Sequence, residues 1–281
     1  MKVWYVTGAS QGLGLTLVKK LLTAGYKVAV TSRNADALKQ AVGDGYPKER
    51  FLPLTVDLAD THSIQDSVEE TASYFGTIDV LVNNAGYGMA GTLEETPERD
   101  IRNILEVNVM ALLNVTKYIL PIMREKRSGY ILNMGSVAGF VGAPGWSVYS
   151  ATKAAVAAFS EVLALDVKEF GIRVTVVEPA GFRTGFLTGK SLAFTESKIE
   201  GYQAVKETQK RYLEANGKQP GNPEKAAEIF IELAESPDPP LHLLLGVDAY
   251  NRAINKLEGL KAEMAHWQPV TESADFPKND I

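Results

Sequence analysis

The stretch TGASQGLG, residues 7–14, follows the short apolar run VWYV at 3–6 and opens a segment of helical period at 12–24. Glycines allow a tight turn and a close backbone approach, and the free N–H groups at a helix start attract phosphate. The glycine spacing differs from the GxGxxG dinucleotide motif, and no Gly-Lys-Ser/Thr follows, so a Walker-type phosphate loop is excluded. The position after the first strand is where a dinucleotide pyrophosphate lies in an open α/β sheet.

Short β-branched apolar runs alternate with longer segments of helical period along the chain. The apolar runs lie at 3–6, 27–31, 51–56, 79–83, 130–134, 173–177 and 241–245. The helical segments lie at 12–24, 34–42, 61–75, 97–124, 148–169 and 223–236. Runs that are apolar on both faces are typical of parallel strands covered on both sides. The sequence therefore predicts a doubly wound Rossmann α/β fold with about seven parallel strands and helices on both faces.

One domain over 1–281 is expected, with two additions to the α/β pattern. A long insert at 185–221 contains a helical stretch near 196–214, and inserts of this length in compact domains are often lids or binding loops. The region 247–281 is predicted to hold a C-terminal helix near 248–265 and a tail rich in Pro, Asp and Ser.

Local helix signals accompany these segments. Thr96-Pro97-Glu98 and Asn222-Pro223-Glu224 each predict a capping residue, a proline at the first helical position and an acidic first turn. Gly76 and Gly171 lie where helices are expected to end.

The composition narrows the range of partners. The 281 residues carry a net charge of −5 without a run of five basic residues, which disfavours nucleic acid and anionic membranes. The chain contains no cysteine, and its apolar start is too short for a signal peptide, so a cytoplasmic protein without a membrane span is expected. His62, His242 and His266 show no ligand-like spacing, and no metal site is predicted.

The end of the second strand indicates which dinucleotide binds. An acidic residue there would hold the ribose hydroxyls of NAD and repel a 2′-phosphate. This chain has Ser32 followed by Arg33, and a guanidinium can bind a phosphate through two hydrogen bonds. We therefore expect NADP(H) rather than NAD(H), against the alternative that Arg33 is an ordinary surface residue.

Several motifs occur in one order: the loop at 7–14, Asp57 after the third strand, NNAG at 83–86, Asn108, Ser136, YxxxK at 149–153 and a proline-led motif ending in Thr184. In this order they resemble the short-chain dehydrogenase/reductase family, over Lys2 to about Thr184. NNAGYGMAG and PPLHLLLG are similar, more weakly, to the hydroxysteroid and retinol dehydrogenase sub-branch.

The resemblance implies a role for each matching residue. Asn108, Ser136, Tyr149 and Lys153 would form the catalytic set. Asp57 and the Leu58 backbone would bind adenine, Asn83 and Ala85 would lie against the cofactor and brace the sheet, and Thr184 would contact the nicotinamide amide. The full set of expected cofactor-binding residues is Gly8, Ser10, Gln11, Gly12, Leu13, Gly14, Ser32, Arg33, Asp57, Leu58, Asn84, Ala85, Gly86, Tyr149, Lys153, Pro179, Gly181 and Thr184.

The chain departs from the family pattern in two places. Ala180 separates Pro179 from Gly181, where the family has glycine directly after proline, so the backbone near the nicotinamide is expected to shift. Gln11 stands where NADP-preferring members often carry Arg or Lys, so selection of NADP would depend mainly on Arg33.

Carbonyl reduction needs a hydride donor, a proton donor and a group that polarises the oxygen. Residues i and i+4 share a helix face, so Lys153 can stand beside Tyr149 and lower its pKa toward neutrality. Ser136 would donate a hydrogen bond to the substrate oxygen. Asn108 lies in an apolar helix segment, where a buried amide must be hydrogen-bonded, and the family's matching Asn holds a water in a proton relay.

Aromatic and apolar residues in the loops expected over the nicotinamide favour an apolar or ring-bearing ketone or aldehyde. The expected substrate-binding residues are Tyr87, Met89, Phe140, Trp146, Phe182 and Phe186. The resemblance also implies a homo-oligomer, a dimer or tetramer, formed through 97–124 and 148–169. Alternatives are an NAD-preferring alcohol dehydrogenase, a non-catalytic nucleotide-binding redox sensor and, disfavoured by the loop spacing, a sugar-nucleotide epimerase or dehydratase.

Overall fold

The fold was examined in a computed structural model that describes residues 1–189, 191–196 and 199–276. The strands are β1 (Val3–Val6), β2 (Lys27–Ser32), β3 (Phe51–Thr55), β4 (Val80–Asn83), β5 (Gly88–Ala90), β6 (Gly129–Met134), β7 (Ile172–Pro179), β8 (Leu192–Phe194) and β9 (His242–Leu245). The α-helices are α1 (Gly12–Thr23), α2 (Ala35–Val42), α3 (Thr61–Phe75), α4 (Glu98–Leu105), α5 (Ala111–Lys126), α6 (Val137–Phe140), α7 (Ser147–Asp166), α8 (Gln203–Glu214), α9 (Pro223–Glu235) and α10 (Val247–Glu272).

Seven parallel strands form the main sheet in the order β3-β2-β1-β4-β6-β7-β9. This confirms the predicted doubly wound sheet. The strand order reverses between β1 and β4, and in open α/β sheets a ligand crevice lies at the carboxyl ends of the strands at such a point.

The two faces of the sheet bury separate cores, as the period of two along a strand requires. Trp4 and Val6 of β1 face α1, α2 and α9, whereas Val3 and Tyr5 face α3, α5 and α7. All four side chains are buried, which explains why the run reads as continuously apolar.

Two helical stretches, Glu98–Lys126 and Ser147–Asp166, are long and apolar enough to cross a membrane by length and composition alone. Both pack against the sheet, where Ile119, Met123 and Leu163 are buried in its core. Packing against the sheet therefore accounts for the apolar composition of their inner faces.

The two capping predictions have different outcomes. Asn222 caps α9, because its side chain accepts hydrogen bonds from two backbone N–H groups and Pro223 opens the helix. Thr96 does not cap α4: Pro97 takes the capping position, and the Thr96 hydroxyl donates to the Thr92 carbonyl at 2.6 Å. The threonine is instead used inside the preceding loop.

The insert and the C-terminal region contain more structure than expected. Within the insert, β8 pairs in parallel with β5, and α8 follows. The C-terminal helix, expected to end near 265, continues to Glu272 through Pro269. The last residues of the expected tail, 277–281, lie outside the described residues.

Candidate active site

The glycine loop joins β1 to α1 at the reversal point of the sheet. Gly8 has a φ of +64°, and a Cβ there would lie 2.7 Å from the Ala85 Cα atom. A Cβ on Gly14 would lie 2.5 Å from Nδ2 of Asn84. Only glycine therefore lets the loop lie directly on the segment after β4.

The chain after β4 braces this loop. The Asn84 side chain donates to the carbonyls of Thr7 and Gly8, both at 3.0 Å, and the Thr7 hydroxyl accepts from the backbone N–H groups of Asn84 and Ala85. Asn83 is different, because its buried amide donates to Thr116 and Asn133 inside the sheet. Asn83 therefore braces the sheet, as expected, and its side chain is buried rather than open to the crevice.

The start of α1 remains open for an anion. Gln11 occupies the capping position without a side-chain hydrogen bond to the helix, and Gly12 has a φ of +62°. The Gln11 amide instead donates to the Ser191 hydroxyl at 2.6 Å, across the crevice. Thr184 faces the loop from the same side, since a Cβ on Gly12 would lie 3.8 Å from the Thr184 Cβ. The remaining loop residues, Ser10 and Leu13, line the same turn.

The adenine side of the crevice carries the expected residues. Arg33 is exposed after β2, and Ser32 accepts a hydrogen bond from the Asn34 N–H at 3.2 Å. Asp57 is exposed after β3, and its carboxylate accepts from the Ala59 N–H at 3.0 Å, beside the half-buried Leu58.

The proline motif is held by its neighbours. Pro179 ends β7 beside Leu245, and the carbonyl of Gly181 accepts from the Gly221 N–H at 3.0 Å. The Thr184 hydroxyl accepts from the Phe186 N–H at 3.2 Å. The glycine cradle, the uncapped helix start and this motif form a crevice that fits a dinucleotide with its pyrophosphate at the α1 N-terminus.

Tyr149, Lys153 and Ser136 come together at the carboxyl end of β6. Ser136 follows β6 and caps α6, while Tyr149 and Lys153 lie on one face of α7. The Lys153 ammonium donates to the Met134 carbonyl at 2.6 Å and lies 5.8 Å from the centroid of the Tyr149 ring. A Cβ on Gly86 would lie 3.6 Å from Nζ of Lys153, so the segment after β4 reaches the same place.

Asn108 occupies a π-helical turn, Glu106–Met110, between α4 and α5. Its amide binds both backbone groups of Tyr87, accepting from N–H at 3.0 Å and donating to C=O at 2.9 Å. It also donates to the Thr152 hydroxyl on α7 at 3.1 Å. The buried amide is hydrogen-bonded as expected, and such single wide turns are frequent at functional sites.

The acid–base properties differ from the expectation for the Tyr–Lys pair. Burial raises the pKa of Tyr149 to about 12, although its hydrogen bond with Ser136 acts in the opposite direction. Burial also lowers the pKa of Lys153 to about 8. In this structure the loss of water around each group is the main influence on its pKa, so the phenol keeps its proton at neutral pH.

An aromatic cluster covers the Tyr149 ring. Trp146 packs edge-on to it at 5.4 Å between centroids, and Phe186 lies 6.1 Å away. Tyr212 of α8 packs against Trp146 with 4.8 Å between centroids and an interplanar angle of 56°. We call the group the lid cluster, and it consists of Tyr87, Met89, Trp146, Phe186, Leu187, Leu192 and Tyr212.

Four of the six expected substrate-binding residues belong to the lid cluster: Tyr87, Met89, Trp146 and Phe186. Phe140 and Phe182 do not. Phe140 lies under Lys256 of α10. Phe182 packs against Gly221 and against the core that faces α1, α2 and α9. These two expectations are corrected, because both side chains pack against other parts of the protein than the lid cluster.

Sequence reasoning missed Leu187, Leu192 and Tyr212. The sequence signal for these residues is the apolar pattern of the insert. The predicted helical stretch at 196–214 contains Tyr212 but does not by itself place it at the site. Only the pairing of β8 with β5, together with the folding of α8 over α7, brings them to Tyr149.

A family model described as short chain dehydrogenase matches residues 2–193. The chain belongs to the short-chain dehydrogenase family. It is an oxidoreductase that acts on C=O or CH–OH groups with NAD or NADP.

Relatives of this dehydrogenase match over most of their length. It is 36% identical to the oxidoreductase BOA17 of Botryotinia fuckeliana, over 96% of this chain and 98% of that protein. It is 32% identical to a 3-ketodihydrosphingosine reductase of Bacteroides thetaiotaomicron, over 86% of each chain. A crystal structure of a short-chain dehydrogenase from Streptomyces avermitilis superposes with a TM-score of 0.90 at 36% identity, covering 98% of this chain and all of that one.

Proposed function

We propose that the protein is an NADPH-dependent reductase of apolar or ring-bearing ketones and aldehydes. The observation that carries the proposal is the buried Tyr149, hydrogen-bonded to Ser136 and enclosed by the lid cluster at the mouth of a dinucleotide crevice. When bound, the reduced nicotinamide would supply the hydride.

The chain's own groups supply the rest of the chemistry. Tyr149 donates its phenolic proton to the carbonyl oxygen, and a pKa of about 12 keeps that proton available at neutral pH. Ser136 donates a hydrogen bond to the same oxygen. Lys153 carries a positive charge below a pKa of about 8 and would hold a ribose hydroxyl beside Tyr149.

The preference for NADPH is inferred from the end of β2. Arg33 is exposed, and the described residues form no ion pair with it. The neighbouring Ser32 is uncharged, so the last residue of β2 carries no carboxylate to repel a 2′-phosphate.

Titration of the purified protein with NADPH and NADH tests this preference. We expect tighter NADPH binding in the wild type and reversal in Arg33→Asp. Arg124→Asp is the charge-matched control, because Arg124 is exposed near the C-terminus of α5. This end of α5 precedes the first residue of β6 and lies at the amino ends of the strands, away from the crevice. Tighter NADH binding by the wild type would support the NAD-preferring alternative instead.

The substrate class is inferred from the lid cluster. Aromatic rings within about 7 Å of one another form an apolar surface that favours flat or long-chain substrates over sugars. The Bacteroides relative is named a 3-ketodihydrosphingosine reductase, and a Xenopus tropicalis relative, 34% identical, is named carbonyl reductase family member 4. Assays with NADPH against steroids, quinones, retinal-like aldehydes and aryl ketones test the class, and a preference for short polar carbonyls would contradict it.

We also propose a homo-oligomer in the cytoplasm, with α7 as one contact surface. The outer face of α7 carries exposed alanines and the exposed apolar residues Val162 and Leu165. A second copy of the helix could approach closely along such a face. Val162→Arg should lower the mass measured by sedimentation, and an unchanged mass would refute this surface.

A further inference from the structure

The C-terminal half of α10 leaves the body of the protein. Ala253 is buried, and Arg252 and Lys256 donate to the carbonyls of Val141 and Phe140. From Leu257 to Phe276 every residue is exposed. The helix is therefore fixed at its base and projects for about four turns without a covering element.

This projecting segment is poorly suited to remain helical alone. It contains Gly259 and Pro269, the two weakest helix-forming residue types. Among the described residues its side-chain hydrogen bonds are local, such as Gln268 to Glu272. Most helical stability in proteins comes from packing of an apolar face, so a partner along this segment would stabilise it.

The apolar residues of α10 follow a heptad spacing. The side chains at positions 250, 253, 257, 260, 264 and 267 recur at alternating steps of three and four residues. Leu257, Leu260, Met264 and Trp267 are 50%, 38%, 72% and 54% exposed. This spacing is typical of the seam of a two-helix coiled coil, in which each side chain inserts between residues of an equivalent helix.

We propose that this seam, residues 257–267, docks against the α10 seam of a second copy of the chain. A heptad seam is self-complementary, which is the requirement for a two-fold contact between identical chains. With side chains of about 150–250 Å², the exposed fractions of the four seam residues amount to roughly 400–450 Å² per copy. Two copies together offer roughly 900 Å², close to the roughly 1,000 Å² that a specific interface needs.

This contact is separate from the α7 surface. Arg252 and Lys256 bind the base of α10 to the carbonyls of Val141 and Phe140, and the seam begins beyond them at Leu257. No residue of the seam belongs to the lid cluster or the crevice. The proposal therefore does not depend on the cofactor, the substrate or the reaction.

Sedimentation velocity of the full chain tests the docking. Met264→Glu places a charge in the seam, and Ala262→Glu places the same charge on the opposite, equally exposed side of α10. We expect Met264→Glu to lower the mass about twofold, with Ala262→Glu and wild type unchanged. NADPH-dependent activity per subunit should be the same in all three, because neither residue touches the active site.

Trp267 provides a second readout. Trp4 and Trp146 are buried, so iodide quenching of tryptophan emission reports mainly Trp267. Docking should shield Trp267 in the wild type and in Ala262→Glu, and quenching should increase severalfold in Met264→Glu. Agreement of mass and quenching supports the proposal.

Three results would overturn it. The first is an unchanged mass in Met264→Glu. The second is dissociation by Ala262→Glu as readily as by Met264→Glu, which would remove the seam as the cause. The third is co-sedimentation of the wild type with phosphatidylcholine–phosphatidylglycerol vesicles while the protein remains undocked, which would assign the apolar stripe to a lipid surface.

Discussion

Burial of the Lys153 ammonium should give the protein a distinctive pH dependence of stability. Lys153 lies beneath α6 and β6, 6% exposed, with one hydrogen bond to the Met134 carbonyl. Burial lowers its pKa from 10.5 to about 8. Lys153→Met removes the ionisable group while keeping a long apolar stem in the same space.

The sign and size of the effect follow from this lowered pKa. Between pH 8 and 10.5 the unfolded chain keeps the Lys153 proton that the folded chain has lost. The unfolded state then binds more protons, so raising the pH increases the free energy of unfolding of the wild type. The full effect is about 3 kcal/mol, and about 2 kcal/mol of it falls between pH 7.5 and 9.5.

Urea denaturation at fixed protein concentration measures the effect. We expect the difference in unfolding free energy, wild type minus Lys153→Met, to rise by about 2 kcal/mol between pH 7.5 and 9.5. Lys19→Met is the matched control, because Lys19 is exposed on α1, and its curve should run parallel to that of the wild type. If the curve of Lys153→Met also runs parallel to that of the wild type, burial does not lower the pKa of the Lys153 ammonium and the reasoning is refuted.

Three further substitutions test the site and its scaffold. Tyr149→Phe should lower kcat for carbonyl reduction by about 10²–10⁴ without changing the NADPH dissociation constant, as steady-state assays and titration will report. Gly8→Ala places a Cβ 2.7 Å from the Ala85 Cα at a φ of +64°, and should lower the free energy of unfolding by more than about 1 kcal/mol and weaken NADPH binding. Gly142→Ala, with nothing within 4 Å, is its control in both measurements. Asn222→Ala removes the α9 cap and should cost about 1 kcal/mol in urea denaturation; an unchanged midpoint would contradict the capping role.

The sequence predicted the main sheet well because its signals are local. Each main-sheet strand coincides closely with an apolar run, and α3 spans the predicted 61–75. The small β5–β8 sheet was missed because each strand has three residues and forms only through a long-range pairing. The end of α10 was misplaced because Pro269 resembles a stop signal, although the helix continues through it.

The same contrast between local signals and long-range packing applies to the candidate active site. The ordered motifs predicted which residues converge, and the fold brings Ser136, Tyr149 and Lys153 to one place. Their acid–base properties could not be predicted from a four-residue spacing. Spacing fixes the distance between Tyr149 and Lys153, whereas the pKa depends on the amount of protein that excludes water from them.

The lid cluster connects the fold of the insert with the acid–base properties of Tyr149. Trp146, Phe186 and Tyr212 exclude water from the Tyr149 hydroxyl, and burial is the main cause of its raised pKa. A phenol that keeps its proton is suited to donating it to a carbonyl, which is the direction of reduction. We therefore expect Phe186 and Tyr212 of the insert to act in catalysis as well as in substrate choice, because the side chains proposed to recognise an apolar substrate also bury the proposed catalytic acid.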